Sequence, residues 1–219
     1  MTLRRVTIIA VLSAMLSGTI FVQPAAATTN NPPNGVAASE YADQWAVSRN
    51  SGYTSYGNDC TNFVSQAMSA GGFRWIYDQD SGAYDWHTGI LSWYNVVGFI
   101  DAFSHLKRAA RITQWPASDS YTPAAVGDVY IYDWGQGDGM SHLALETGFG
   151  QRGPGYTSDG LGDYIDQHTN DRYHAPWNYG YLHPDSTINT ANMAIYVMTI
   201  DWASEAPPPS IWYRLSQLF

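Results

Sequence analysis

The chain has 219 residues, with 10 Lys and Arg against 19 Asp and Glu for a net charge of −9, and 45% hydrophobic residues against 13% charged. At roughly 100 to 200 residues per domain it holds one domain or two small ones. Its 9 Trp, 16 Tyr and 7 Phe supply ample core material, which excludes disorder for most of the chain. No basic run is present to neutralise phosphates, so nucleic acid is a poor candidate partner.

The first element is a leader. Arg4 and Arg5 precede an apolar run over 6–22, and Pro24-Ala25-Ala26-Ala27 follows, which together are the three parts of a secretory signal. Cleavage is expected after Ala27, giving a secreted protein. A membrane anchor is disfavoured because the run barely reaches spanning length and is broken by Ser13, Ser17 and Gly18. No later segment is apolar enough to span, so no stable membrane insertion is expected. Residues 28–35 read as a mobile polar linker containing Pro32 and Pro33, and 36–219 as the domain.

Within the domain, Tyr41, Ala42, Trp45 and Ala46 fall at helical spacing and predict a helix over 36–48. After a turn-rich stretch, Cys60, Phe63, Val64, Ala67 and Met68 share one face of a second helix, with Asn58 or Asp59 as its N-cap and Gly71-Gly72 as its stop. Residues 71–89 show no period and are expected to be loops forming one wall of a cleft. Val96, Phe99, Ile100 and Phe103 predict a third helix over 93–105. Strands are expected at 126–132, 142–147, 163–167 and 193–202, where β-branched and aromatic residues are bounded by Gly, Asp or Pro. Helices first and strands second give an α+β domain with N-terminal helices packed on an antiparallel sheet.

Exported domains use cysteines in disulfide pairs, yet this chain has a single one, Cys60. Its surroundings, Asn58-Asp59-Cys60-Thr61-Asn62, are polar, which favours chemistry over an inert buried thiol. The thiolate is the nucleophile, and at an ordinary pKa of about 8.5 only a few per cent is ionised at neutral pH. A helix N-terminus and a nearby imidazole both lower that value. Of six histidines, His142 opens a strand just after the Gly-rich loop at 135–139, where it would sit at the sheet rim as the base. A third group should orient its ring. His168 is the favoured choice, with Asn170 and Asp171 as alternates whose competing reading is turn chemistry.

The segment Asp59-Cys60-Thr61-Asn62-Phe63-Val64-Ser65-Gln66, followed by Gly71-Gly72, resembles the putative amidase domain family (the amidase-6 type) within the papain-like NlpC and CHAP group. Tyr41-Ala42, Trp45-Ala46, Arg49-Asn50, Gly127-Asp128-Val129, Tyr132-Asp133-Trp134 and His168-Thr169-Asn170-Asp171-Arg172 extend the resemblance over 36–179. It implies a papain-like fold, Cys60 as nucleophile, His142 as base and a polar residue on the following strand, His168, in the third role. The Gly-rich stretch 148–162 departs from the group's compact form and leaves that role open to Asn170. The implied reaction is acyl transfer through a Cys60 thioester, with the Cys60 amide and a loop residue such as Tyr56 or Asn58 as oxyanion donors.

Asp59 has a second reading, pairing with a substrate amine, and Trp86 and Trp134 are assigned to the cleft. A peptide or amide substrate is expected, the stem peptide of a bacterial cell envelope being one source. No metal or other cofactor is expected: Asp133, Asp138, His142, His168 and Asp171 lack zinc-ligand spacing, and Ser65 and Ser141 lie in no serine-hydrolase elbow. The competing reading is a module that keeps this fold and binds peptide or glycan without turnover.

Overall fold

The computed structural model describes residues 33–77, 84–119, 122–151, 161–179 and 192–204. The expected leader and residues 28–32 of the linker lie outside that set. Four helices, α1 (Gly35–Trp45), α2 (Cys60–Ala70), α3 (Leu91–Tyr94) and α4 (Val96–His105), precede six strands, β1 (Ala109–Trp115), β2 (Val129–Asp133), β3 (Met140–Gln151), β4 (Leu161–Gln167), β5 (Arg172–Pro176) and β6 (Ala194–Ile200). The strands form one antiparallel sheet in the order β1-β6-β2-β3-β4-β5. The molecule is therefore α+β, and no described helix is long and apolar enough to cross a membrane.

Helix α2 is buried from Cys60 to Ser69, so its polar residues need partners inside the protein. They have them: Gln66 Oε1 accepts from the Tyr41 hydroxyl at 2.6 Å, Ser65 Oγ from Trp86 Nε1 at 3.3 Å and Asn62 Oδ1 from Trp93 Nε1 at 2.7 Å. Helix α1 begins at Asn34, whose Oδ1 accepts from the Ala37 amide at 2.8 Å, a side-chain N-cap. The helix expected over 93–105 is split. Asn95 is extended (φ −120°, ψ 135°), and its side chain accepts from the Gly98 amide, so it ends α3 and starts α4 in one residue.

Period-2 alternation gives the sheet two buried faces. Val129, Ile131, Leu143 and Leu145 pack in the cluster that includes Phe63, Val64 and Met68 of α2 and Phe99 and Phe103 of α4. Tyr130, Tyr132, Ala144, Ile165 and Val197 face the other way, against Trp177 and Tyr179. Two glycines join α1 to the sheet. Gly127 adopts φ +93°, and a Cβ on it would collide with the Cα of Gly35. The end of the expected linker is pinned rather than mobile: Pro33 is buried, and the Asn34 amide donates to the Gly71 carbonyl at 2.9 Å. Strands β1 and β5, unforeseen from the sequence, are the two edges of the sheet.

Candidate active site

Cys60 is the first residue of α2 and is 5% exposed. First-turn amides of a helix have no intrahelical acceptor, so positive potential converges on the thiol end. His142, also 5% exposed, stands on β3 opposite Tyr132 of β2. Burial pushes the Cys60 thiol up, but a hydrogen bond from His142, its charge, the Leu143 amide and the Thr61 hydroxyl outweigh burial and hold it below its ordinary value.

The other side of the imidazole is held by Gln167. His142 Nε2 lies 3.0 Å from Gln167 Oε1. The Gln167 amide nitrogen donates to the carbonyls of Thr169 at 3.2 Å and Asn170 at 3.1 Å, which fixes the side chain with its oxygen toward the histidine. That oxygen accepts a second bond from the buried Tyr179 hydroxyl, which stays a donor because burial pushes its ionisation far up. An acceptor at Nε2 requires Nε2–H, so the lone pair of the neutral ring lies on Nδ1, the nitrogen left for the thiol. Trp134 stacks on Tyr132 at 5.2 Å and lies 5.5 Å from the His142 ring, edge-on to Tyr179 at 5.1 Å. These rings shield the His142–Gln167 bond from water.

His168, expected against His142, is on the other side of the sheet. Along β4 the side chains alternate, so Ile165 and Gln167 share the face of Tyr179 while His168 turns toward α2 and packs on Phe63 at 4.1 Å. Its Nδ1 lies 2.6 Å from Asp59 Oδ2, and its Nε2 is 2.8 Å from the carbonyl of Trp45, the last residue of α1. Both ring nitrogens are therefore engaged by acceptors inside the protein. Asp59 also accepts from the Tyr56 amide at 2.9 Å and Asn62 Nδ2 at 2.7 Å, and meets Arg49 Nε at 3.1 Å. Burial pushes the Asp59 carboxyl up, yet His168, the Tyr56 amide and Asn62 hold it below the usual carboxylate range. Arg49 grips Asp171 with two bonds of 2.8 Å.

A family model described as "Putative amidase domain" matches residues 33–195, which include both histidines, Gln167 and Cys60. The chain belongs to this family. The family name speaks for hydrolysis of amides in general. The amidase-domain chain is 32% identical over 161 residues to the "Uncharacterized protein YjcM" of Bacillus subtilis (strain 168), covering 70% of this chain and 35% of that protein. It is 28% identical over 119 residues to the "Uncharacterized protein YhbB" of the same organism, covering 49% of this chain and 35% of the other. It thus spans about a third of the length of each relative. No solved structure matches.

The remaining expectations for this amidase-domain chain resolve by burial and bonding. Asp59 occupies the N-cap position of α2 but makes no side-chain cap bond, and at 1% exposed its carboxylate is taken by interior partners rather than offered to a substrate amine. The Tyr56 amide is bound to Asp59, so it is no oxyanion donor in this arrangement, while Asn58 is exposed on the same loop. Trp86, assigned to the cleft, is fully buried against Trp93 and Phe103, because aromatic bulk beside α2 fills the core. Trp134 is half-buried beside His142, as just described. Asn170 contributes its carbonyl, not its side chain, to Gln167, and Asp171 is taken by Arg49. The residue that sequence reasoning passed over is Gln167. Its signal was parity, since it shares the face of apolar Ile165. Among the described residues one trio of metal-ligating side chains comes together, Asp43, Asp166 and His174, separate from the Cys60–His142 pair.

Proposed function

We propose that this chain is a papain-like cysteine amidase in which Cys60 is the nucleophile, His142 the acid and base, and Gln167 the residue that orients His142. The observation that carries the reading is the chain of contacts Cys60–His142–Gln167, with the thiol held below its ordinary value and the His142 tautomer set by an amide oxygen. In this mechanism the Cys60 thiolate attacks the carbonyl carbon of an amide. The tetrahedral oxyanion accepts from the Cys60 amide at the start of α2. Protonated His142 delivers its Nδ1 proton to the departing amine, leaving an acyl thioester. Water then gives a proton to His142 and adds to the thioester, and collapse releases a carboxylic acid and restores the thiolate–imidazolium pair.

The reading extends to an exported enzyme acting on peptide amides, cell-wall stem peptide being the substrate that the secretory signal over 1–27 supports. The decisive experiment follows the rate of Cys60 alkylation by iodoacetamide against pH, in the native chain and in His142→Ala. The expected result is an alkylation midpoint well below about 8.5 in the native chain and a rise toward that value in the variant. A midpoint near 8.5 in both removes the thiolate–imidazole pair and leaves a binding module. Release of new amines from purified peptidoglycan, absent in Cys60→Ser, is the test of substrate.

A further inference from the structure

On the helix side of the sheet, Asp43 of α1, Asp166 of β4 and His174 of β5 bring one ligating atom each to within 4.8 Å of one another. His174 Nε2 is 2.9 Å from Asp43 Oδ1, and the His174 amide donates to Asp166 Oδ1 at 2.6 Å. The other oxygen, Asp166 Oδ2, is buried with no hydrogen-bond partner in a residue that is 0% exposed. Thr147 of β3, 8% exposed, brings its hydroxyl to the same carboxyl and works against the upward push of burial. A buried carboxylate oxygen left without a donor is costly, so groups of this kind are found paired, protonated or bound to a cation.

We propose that Asp43, Asp166 and His174 bind a divalent transition-metal cation, best matched by zinc, which ties α1 to β4 and β5. Two carboxylates and one imidazole are a donor set for zinc, whereas calcium and magnesium favour oxygen alone. Ligand atoms 2.9 Å apart, each about 2.1 Å from an ion, subtend roughly 90°, an ordinary angle between neighbouring ligands. Three protein ligands leave the outer positions to water on the exposed side, where Asp43 and His174 are 40% and 31% exposed. His174 holds a left-handed backbone (φ 49°) inside β5, which a residue with a side chain rarely keeps. Burial and the charge of Asp43 push the Asp166 carboxyl up to about 8. A proton shared between the two carboxyls is therefore the rival occupant.

The test is titration of the chelator-treated full chain with zinc, followed by calorimetry and by the thermal midpoint. One zinc per chain is expected, with a rise of roughly 5–10 °C at free zinc about 100-fold above its Kd. An excess of calcium should not displace it. Asp43→Asn, on the exposed face of α1, and His174→Gln should each weaken binding at least tenfold while their zinc-free circular dichroism stays native, and Asp166→Asn should abolish it. Cys60→Ser and His142→Ala should bind as the native chain does. No binding by the folded chain overturns the site in favour of a shared proton. Binding that survives all three ligand substitutions, or that disappears with Cys60, overturns it in favour of surface carboxylates or the thiol–imidazole pair. Failure here leaves the cysteine amidase reading intact, since none of the three ligands touches Cys60 or His142.

Discussion

Gln167 and His168 are neighbours at the end of β4, yet they serve two histidine sites on opposite faces of the sheet. On one face His142 has a single acceptor, Gln167 Oε1, and its other nitrogen is free for a thiol. On the other, His168 has acceptors at both nitrogens, Asp59 and the end of α1, and no nitrogen left to exchange a proton. In the proposed mechanism the same side chain thus acts as a proton carrier or as a structural clamp according to how many of its nitrogens are occupied. The clamp also serves the carrier, because Asp59 adjoins Cys60 and fixes the loop entering α2 through Tyr56, Asn62 and Arg49.

The comparison breaks most sharply in activity. His142→Ala and Cys60→Ser are expected to lower amide turnover by about 10²–10⁴-fold or more while shifting the thermal midpoint little. The clamp should show the reverse pattern. Asp59→Ala strands His168 and is expected to cost about 3–5 kcal/mol in urea denaturation. The sign of its pH dependence follows from a carboxyl held below its ordinary value in the folded state. That stabilisation is complete above about pH 4, is lost as pH falls through the folded value, and should be missing from the acid limb of Asp59→Asn. An intermediate effect is expected for Gln167→Leu, which leaves the His142 N–H buried without an acceptor at about 1–3 kcal/mol, or roughly 5–150-fold in kcat/KM. The smallest belongs to Arg49→Ala. Its side chain is 35% exposed and Asp171 is 33% exposed, so the Asp171 pair should contribute under about 1 kcal/mol, the same small loss expected of Asp171→Ala; anything Arg49→Ala loses beyond that value measures its contact with the buried Asp59.

The order of helices before strands, the position of Cys60 at a helix start and of His142 on the following strand pair were legible because each rests on local pattern. What escaped depended on partners distant in sequence. β1 carries only half-buried and exposed residues along an edge, so it shows no clean alternation. β5 lies between a turn with left-handed Thr169 and Asn170 and a terminal Pro176, signals that read as loop. A histidine beside the expected strand end drew the third role to itself. Gln167, which neither titrates nor binds metals, looked ordinary until parity along β4 set it on the face of His142. Trp86 was misplaced because a Trp in an aperiodic segment looks the same in sequence whether it lines a groove or fills a core.

The bond between the Asn34 amide and the Gly71 carbonyl, with Gly35 seated against Gly127, fixes where the polypeptide enters the fold. That entry is at the C-terminal end of α2, and the thiol is at its N-terminal end, about 16 Å away at 1.5 Å per residue over 11 residues. An attachment upstream of residue 33, whether an affinity handle or a surface tether, therefore joins the domain from behind and leaves the reactive end pointing away from whatever holds it.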